Sequence, residues 1–171
     1  MRTHKTARAI ALCLACLLTL STFGQGYGNR LMLGVCASYP RGLEATLAYE
    51  HEMNYHSAME YFASYYIQYD KNPEAGYVTS NSFWHNYNIW NVGFAYKPCV
   101  TRGRNNHGNL RLGVSGGSDL HKFVGVASIG YEHTFNLYNG WCVFFQVKED
   151  VTMRGRDLFR TGIALGVKVP L

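Results

Sequence analysis

The chain has 171 residues with 16 basic and 11 acidic side chains; charged residues make up only 16% of it, and aromatics reach 15% with 13 tyrosines. A soluble domain ordinarily carries about 25% charge, so something other than water is expected to cover much of this surface. The length has room for one domain, and the net charge of +5 owes part of its excess to Arg2, Lys5 and Arg8 at the start, which leaves little support for nucleic-acid binding.

Those three cations precede an apolar run from Ala9 to Leu20 and then Ser21, Thr22, Phe23 and Gly24. This is the layout of a secretory signal peptide, with Thr22 and Gly24 placing the cut after residue 24. The run is too short to span a bilayer as a helix. Residues 25–171 are then expected to form one domain.

Turn formers divide that domain into alternating stretches near Arg30–Tyr39, Leu43–Glu52, His56–Tyr69, Trp84–Lys97, Asn109–Gly116, Lys122–Phe135, Trp141–Asp150 and Leu158–Leu171. The connections carry Pro40-Arg41-Gly42, Asn54, the segment from Lys71 to Gly76, Pro98 with Arg102 to Asn106, Gly116 to Asp119, Asn139-Gly140 and Arg154-Gly155-Arg156. Alternating segments joined by such residues predict an antiparallel meander, and no helical period follows the leader. The final stretch is the clearest. Phe159, Thr161, Ile163, Leu165, Val167, Val169 and Leu171 share one face, and Arg160, Gly162, Ala164, Gly166, Lys168 and Pro170 the other.

The same division runs through the other strands. Leu33, Val35, Leu47, Tyr61, Val92, Phe94, Val114, Ile129, Val143 and Phe145 lie on the apolar side. Glu44, Glu50, Glu60, Ser64, Asn91, Lys97, Arg111, Ser128, Glu132, Gln146, Lys148, Asp150, Arg160 and Lys168 lie opposite, with many Gly and Ala between. Period two alone does not say which face is inside, and a soluble lipocalin-like barrel remains an alternative. Small residues on the polar face suit the crowded lumen of a narrow barrel. Trp90, Tyr96, Tyr131, Tyr69, Tyr49 and Trp141 near strand ends suit interfacial girdles. Hydrocarbon admits a chain without spanning helices only as a closed barrel. The expected fold is therefore all-β, an eight-stranded antiparallel up-and-down β-barrel of outer-membrane type.

A barrel of this size is filled by its own side chains, which argues against general porin activity. Glu44, Glu60, Arg111, Glu132, Lys148, Asp150, Arg160 and Lys168 are expected to form a polar network in the lumen, with a structural role. No catalytic, cofactor-binding or metal-binding residues are assigned. Glu50-His51-Glu52 with His56 match no metal spacing and read as solvated interfacial residues. Ser118, Asp119 and His121 resemble a triad in composition alone. Gly113 to Gly117 open no helix, so they are no phosphate cradle. Cys36, Cys99 and Cys142 are an odd number after the leader, and no disulfide framework is expected. Cys99 is placed in a connection.

From about Leu43 onward the chain resembles the conjugal transfer protein TraO family of conjugative transposons in Gram-negative gut bacteria. The resemblance rests on Thr161-Gly162-Ile163-Ala164-Leu165-Gly166-Val167-Lys168-Val169, on the triplet Lys148-Glu149-Asp150 where family members carry a charged Arg-Glu-Arg type, and on Trp90 to Tyr96 and Arg111 to Gly117. It departs from the pattern in the triplet's last charge, in the basic connection Cys99 to His107 and at Leu171. The resemblance implies a structural outer-membrane component of a conjugative transfer apparatus, touching outer-membrane lipid and envelope or conjugation-complex proteins, with no direct nucleic acid. Alternatives are a generic small OmpA- or OmpX-like barrel acting as adhesin or envelope stabiliser, and the soluble secreted binder. Pro73, Glu74, Tyr77, Arg102 and Arg104 are the expected partner contacts.

Overall fold

A computed structural model of the protein describes residues 28–70, 76–84, 87–119 and 121–171. The predicted leader lies outside the described residues. The elements are β1 (Asn29–Tyr39), β2 (Gly42–Glu52), β3 (Ala58–Gln68), a short helix α1 (Ser80–Trp84), β4 (Tyr87–Lys97), β5 (Cys99–Arg102), β6 (Asn106–Ser118), β7 (Phe123–Asn136), β8 (Cys142–Met153) and β9 (Phe159–Pro170). Every long strand pairs antiparallel with its neighbours in the chain, β1 pairs with β9, and β4 pairs with β6 across the short β5, so eight strands close on themselves.

Three sequence expectations shift. The third strand starts at Ala58 and not at His56, because Tyr55 and His56 turn the chain with positive φ of 63° and 60°. Trp84 ends α1 and does not open β4. Cys99 belongs to β5, which pairs with the start of β6 and so extends that strand back to Asn106. All three departures lie where the chain leaves the barrel wall, and there alternation carries no information.

The closure is staggered. Cross-strand neighbours lead from Asn29 through His51, Met59, Tyr96, Leu112, Ile129, Glu149 and Thr161 back to β1 at Tyr39, ten residues up the strand. A stagger of this size in eight strands tilts them about 40° from the barrel axis. The β4–β6 seam depends on backbone contact: a Cβ on Gly117 would lie 1.8 Å from the Trp90 carbonyl oxygen. At the turn between β7 and β8, Asn139 and Gly140 take φ of 59° and 79°, the left-handed region these two residues enter most readily.

The two faces decide which solvent the barrel meets. Val35, Val92, Phe94, Ile129, Ile163 and Leu165 each leave more than half of their surface uncovered on the outer wall. Among the described residues, five acidic and five basic side chains are buried inside: Glu44, Glu50, Glu60, Glu132 and Asp150 with Lys97, Arg111, Lys148, Arg160 and Lys168. A soluble barrel keeps its apolar face inward, and this one reverses that rule. The residues expected in lipid are on the wall, and those expected in the lumen are in the lumen. Among the described residues, 40–41, 69–70, 76–84, 119, 121–122 and 154–158 lie at one end, here the loop end; the start of β1, the end of β9, β5 and the turns at 53–57 and 137–141 form the terminal end.

Candidate functional site

The lumen is layered, and β3 shows the order in steps of two. From the loop end its inward residues are Gln68, Tyr66, Ser64, Phe62, Glu60 and Ala58. Tyr66 packs with Ile89, Val124 and Val126 to close the loop end with apolar side chains. Phe62 sits against Met32, Ala48 and Phe144 at mid-height and divides the charges into two groups.

The group toward the termini is the denser. Lys97 bridges three carboxylates, touching Glu50 and lying 2.8 Å from Glu60 and 3.0 Å from Glu132. Lys168 joins Glu50 at 2.8 Å to Glu132 at 2.6 Å. Arg111 donates to Glu60 from Nη2 at 2.7 Å and from Nε at 3.2 Å. The cations also lie over rings, Arg111 over Phe62 at 4.7 Å and Lys168 over Phe144 at 5.7 Å. In the other group Lys148 meets Glu44 at 2.6 Å and Asp150 at 3.0 Å. Arg160 is looser, 3.9 Å from Asp150 and stacked over the Tyr66 ring at 4.3 Å. Between the groups lies a cavity of about 40 Å³ lined by Cys36, Ser64, Asn91, Lys148 and Arg160 among others. It has room for a few ordered waters, which suits the Asn91 Oδ1 and Arg160 Nε and Nη1 atoms that have no hydrogen-bond partner among the described residues.

All eight residues expected in the polar network face the lumen, and seven of them fall into close ion pairs, with Arg160 at the margin. Glu50 and Lys97 complete it, and without them the terminal group would fall apart. Alternation puts both on the polar side, and the expectation that Glu50 is a solvated interfacial residue with His51 and Glu52 does not hold. Glu50 is instead 1% exposed, still within β2, and held by two ammonium groups. The turn begins after Glu52, which pairs with Arg30 at 2.8 Å and His56 at 2.6 Å. His56 stacks on the buried His107 at 4.7 Å, closing the terminal mouth.

What can this arrangement do chemically? Glu50, Glu60 and Glu132 bring carboxylate oxygens close enough to hold a cation. Lys97 and Lys168 already stand among them, so that role is filled by the chain itself. With equal numbers of buried acids and bases and a packed interior, the lumen is a closed salt-bridged plug. In the 119–122 connection Asp119 builds a turn: its Oδ1 accepts the His121 N–H at 3.0 Å and the Lys122 N–H at 2.8 Å. Those two amides hold its carboxyl below the usual range. The Ser118 hydroxyl donates to the Lys122 carbonyl at 3.0 Å, so the apparent triad is a loop fastening.

Cys36 and Cys142 are buried on the lumen side, and Cys99 is half-exposed in β5. Among the expected partner contacts, Pro73 and Glu74 lie outside the described residues. Tyr77 is exposed at the loop end. Arg102 and Arg104 are exposed at the terminal end, where the Arg102 guanidinium lies 5.0 Å over the Tyr55 ring.

No family model and no curated protein matches the chain. Among solved structures it is similar to one described as "De novo design of transmembrane beta-barrels", with a TM-score of 0.51 and 10% identity over 85% of this chain and 97% of that one. At that identity the likeness concerns the fold.

Proposed function

We propose that this chain is an exported outer-membrane barrel that conducts nothing through its lumen and serves as a structural seat within a conjugative transfer apparatus. The observation that carries the non-conducting part is the lumen itself. Lys97 and Lys168 tie Glu50, Glu60 and Glu132 together, and Tyr66 with its apolar neighbours caps the opposite half. A passage for DNA or protein would require that whole interior to be replaced, so a role in transfer is exercised through the outer wall, the loops and β5. Export rests on the leader pattern of residues 1–24. The transfer role rests on the resemblance of the Gly162–Val169 strand and the Lys148-Glu149-Asp150 triplet to the TraO family.

Deletion of the gene should lower the transfer frequency of its mobile element and leave small-solute permeability unchanged. Mating assays in deletion and complemented strains, with antibiotic or dye influx measured in parallel, check both halves. Unchanged mating with no transfer genes nearby would defeat the transfer role and favour a generic envelope barrel. Increased influx in the presence of the protein would defeat the plugged lumen.

A further inference from the structure

One carboxylate stands on the outer wall. Glu149 stands outward on β8, directly opposite Ile129 on β7 and Thr161 on β9. Val151, Met153 and Phe159 lie between it and the loop end, and Val147, Phe145 and Val143 continue the wall toward the termini. The carboxylate is therefore inside the apolar band and not at its edge. Among the described residues the carboxylate accepts a hydrogen bond from the Thr161 hydroxyl, which donates to Oε2 at 2.5 Å, and it has no ion-pair partner there. A carboxylate offers about four acceptor positions, and hydrocarbon can fill none of the rest. A charge on the lipid face of a barrel destabilises it, so the position opposes folding unless something covers it.

We propose that the β7–β8–β9 wall around Glu149 is the docking surface for a different membrane protein, one that presents a lysine or arginine from its own membrane-spanning segment. Charge complementarity selects that occupant. Every lysine and arginine in the eight barrel strands of this chain faces the lumen, namely Arg30, Lys97, Arg111, Lys148, Arg160 and Lys168. A second copy therefore brings no cation on its strand wall to Glu149, and a two-fold pair would set carboxylate against carboxylate, which is repulsive. The surroundings suit a close approach by another wall. Ile129, Val147 and Ile163 form a low apolar rim around the carboxylate, and Ala127 and Gly125 beside them on β7 leave the surface flat. The partner's cation would take the open acceptor positions of Glu149 while its apolar side chains cover that rim, in a medium where an unmatched charge cannot be hydrated.

This inference rests on the membrane location proposed above, and the experiment separates the two. In cells carrying the natural gene neighbourhood, the photo-reactive residue p-benzoylphenylalanine is placed at Ile163, next to the carboxylate, and at Val92 on the far wall. Fractionation comes first. Recovery of the protein in the soluble fraction would overturn both readings, because Glu149 would then be an ordinary hydrated carboxylate. With the protein in the membrane, the Ile163 position should yield an adduct whose cross-linked peptide, read by mass spectrometry, comes from a membrane-spanning segment with a lysine or arginine, and the Val92 position should not. Glu149→Leu should lower the adduct roughly tenfold or more, the scale of losing one member of a buried charge pair. Exchanging the charges, with Glu149→Lys here and glutamate at the partner's cation, should restore it. The unfolding midpoint of Glu149→Leu in lipid vesicles should stay level or rise. An adduct indifferent to Glu149, an adduct with a second copy, no protein adduct, or a fall in that midpoint would each overturn the proposal, the last by assigning Glu149 to the barrel's own stability through Thr161.

Discussion

Lys97 carries more of the lumen than any other side chain, because its ammonium group is shared by Glu50, Glu60 and Glu132. Replacing it with Met keeps the length of the side chain but leaves three carboxylates with only Lys168 and Arg111 to balance them. Breaking a buried ion pair from one side costs about 3–5 kcal/mol, so Lys97→Met should lower the unfolding free energy by about that amount. Urea titration of the barrel in vesicles, followed by tryptophan fluorescence, measures it. Adding Glu132→Gln should recover part of the loss, since it removes one of the stranded charges. If Lys97→Met alone proved neutral, the network would be held by water and not by its ion pairs.

At the scale of the element, β5 is an appendage. It pairs with the first residues of β6 at the terminal end and contributes nothing to the closed ring, which joins β4 to β6 directly. Arg102 and Arg104 can therefore be changed without touching the wall or the lumen. Arg102→Ser with Arg104→Ser gives up the contact between Arg102 and Tyr55, worth about 0.5–1 kcal/mol at an exposed site. The double variant should keep the difference between boiled and unboiled gel mobility, and unfold within about 1 kcal/mol of the parent. Affinity recovery of envelope partners is the second measurement, and there a marked loss is expected. A barrel that failed to assemble would show that β5 nucleates the β4–β6 seam.

For the whole molecule, the inverted distribution of polarity is the property that matters. Leu165 lies on β9 at mid-wall, 55% exposed, with Val35 and Phe145 as its cross-strand neighbours. Leu165→Arg should cost roughly 2–4 kcal/mol in lipid, the scale for a cation near the midplane on a barrel's outer face. The same denaturation assay in vesicles reads the cost. Equal stability of parent and variant in vesicles would mean that this face does not meet hydrocarbon.

Much of this was written in the local pattern of residues. The alternation from Phe159 to Leu171 sets which side chains share a face, and the same period groups the polar residues from Glu44 to Lys168 on one face of their strands. That inference works because a strand's side chains alternate whatever the strand is bonded to. Three things needed the closed barrel. Which face is inside follows from the direction of curvature, a property of all the strands together. The membership of Glu50 and Lys97 in the network depends on the stagger that brings β2, β4, β7 and β9 to one level, since residues 50, 97, 132 and 168 are far apart in the chain. The isolation of Glu149 likewise depends on Lys148 and Asp150 pointing the other way into a lumen that only closure creates. Local alternation acts over neighbours in the chain, whereas ion pairs, stagger and the choice of inner face are set by contacts between distant strands, and only the folded barrel makes those contacts.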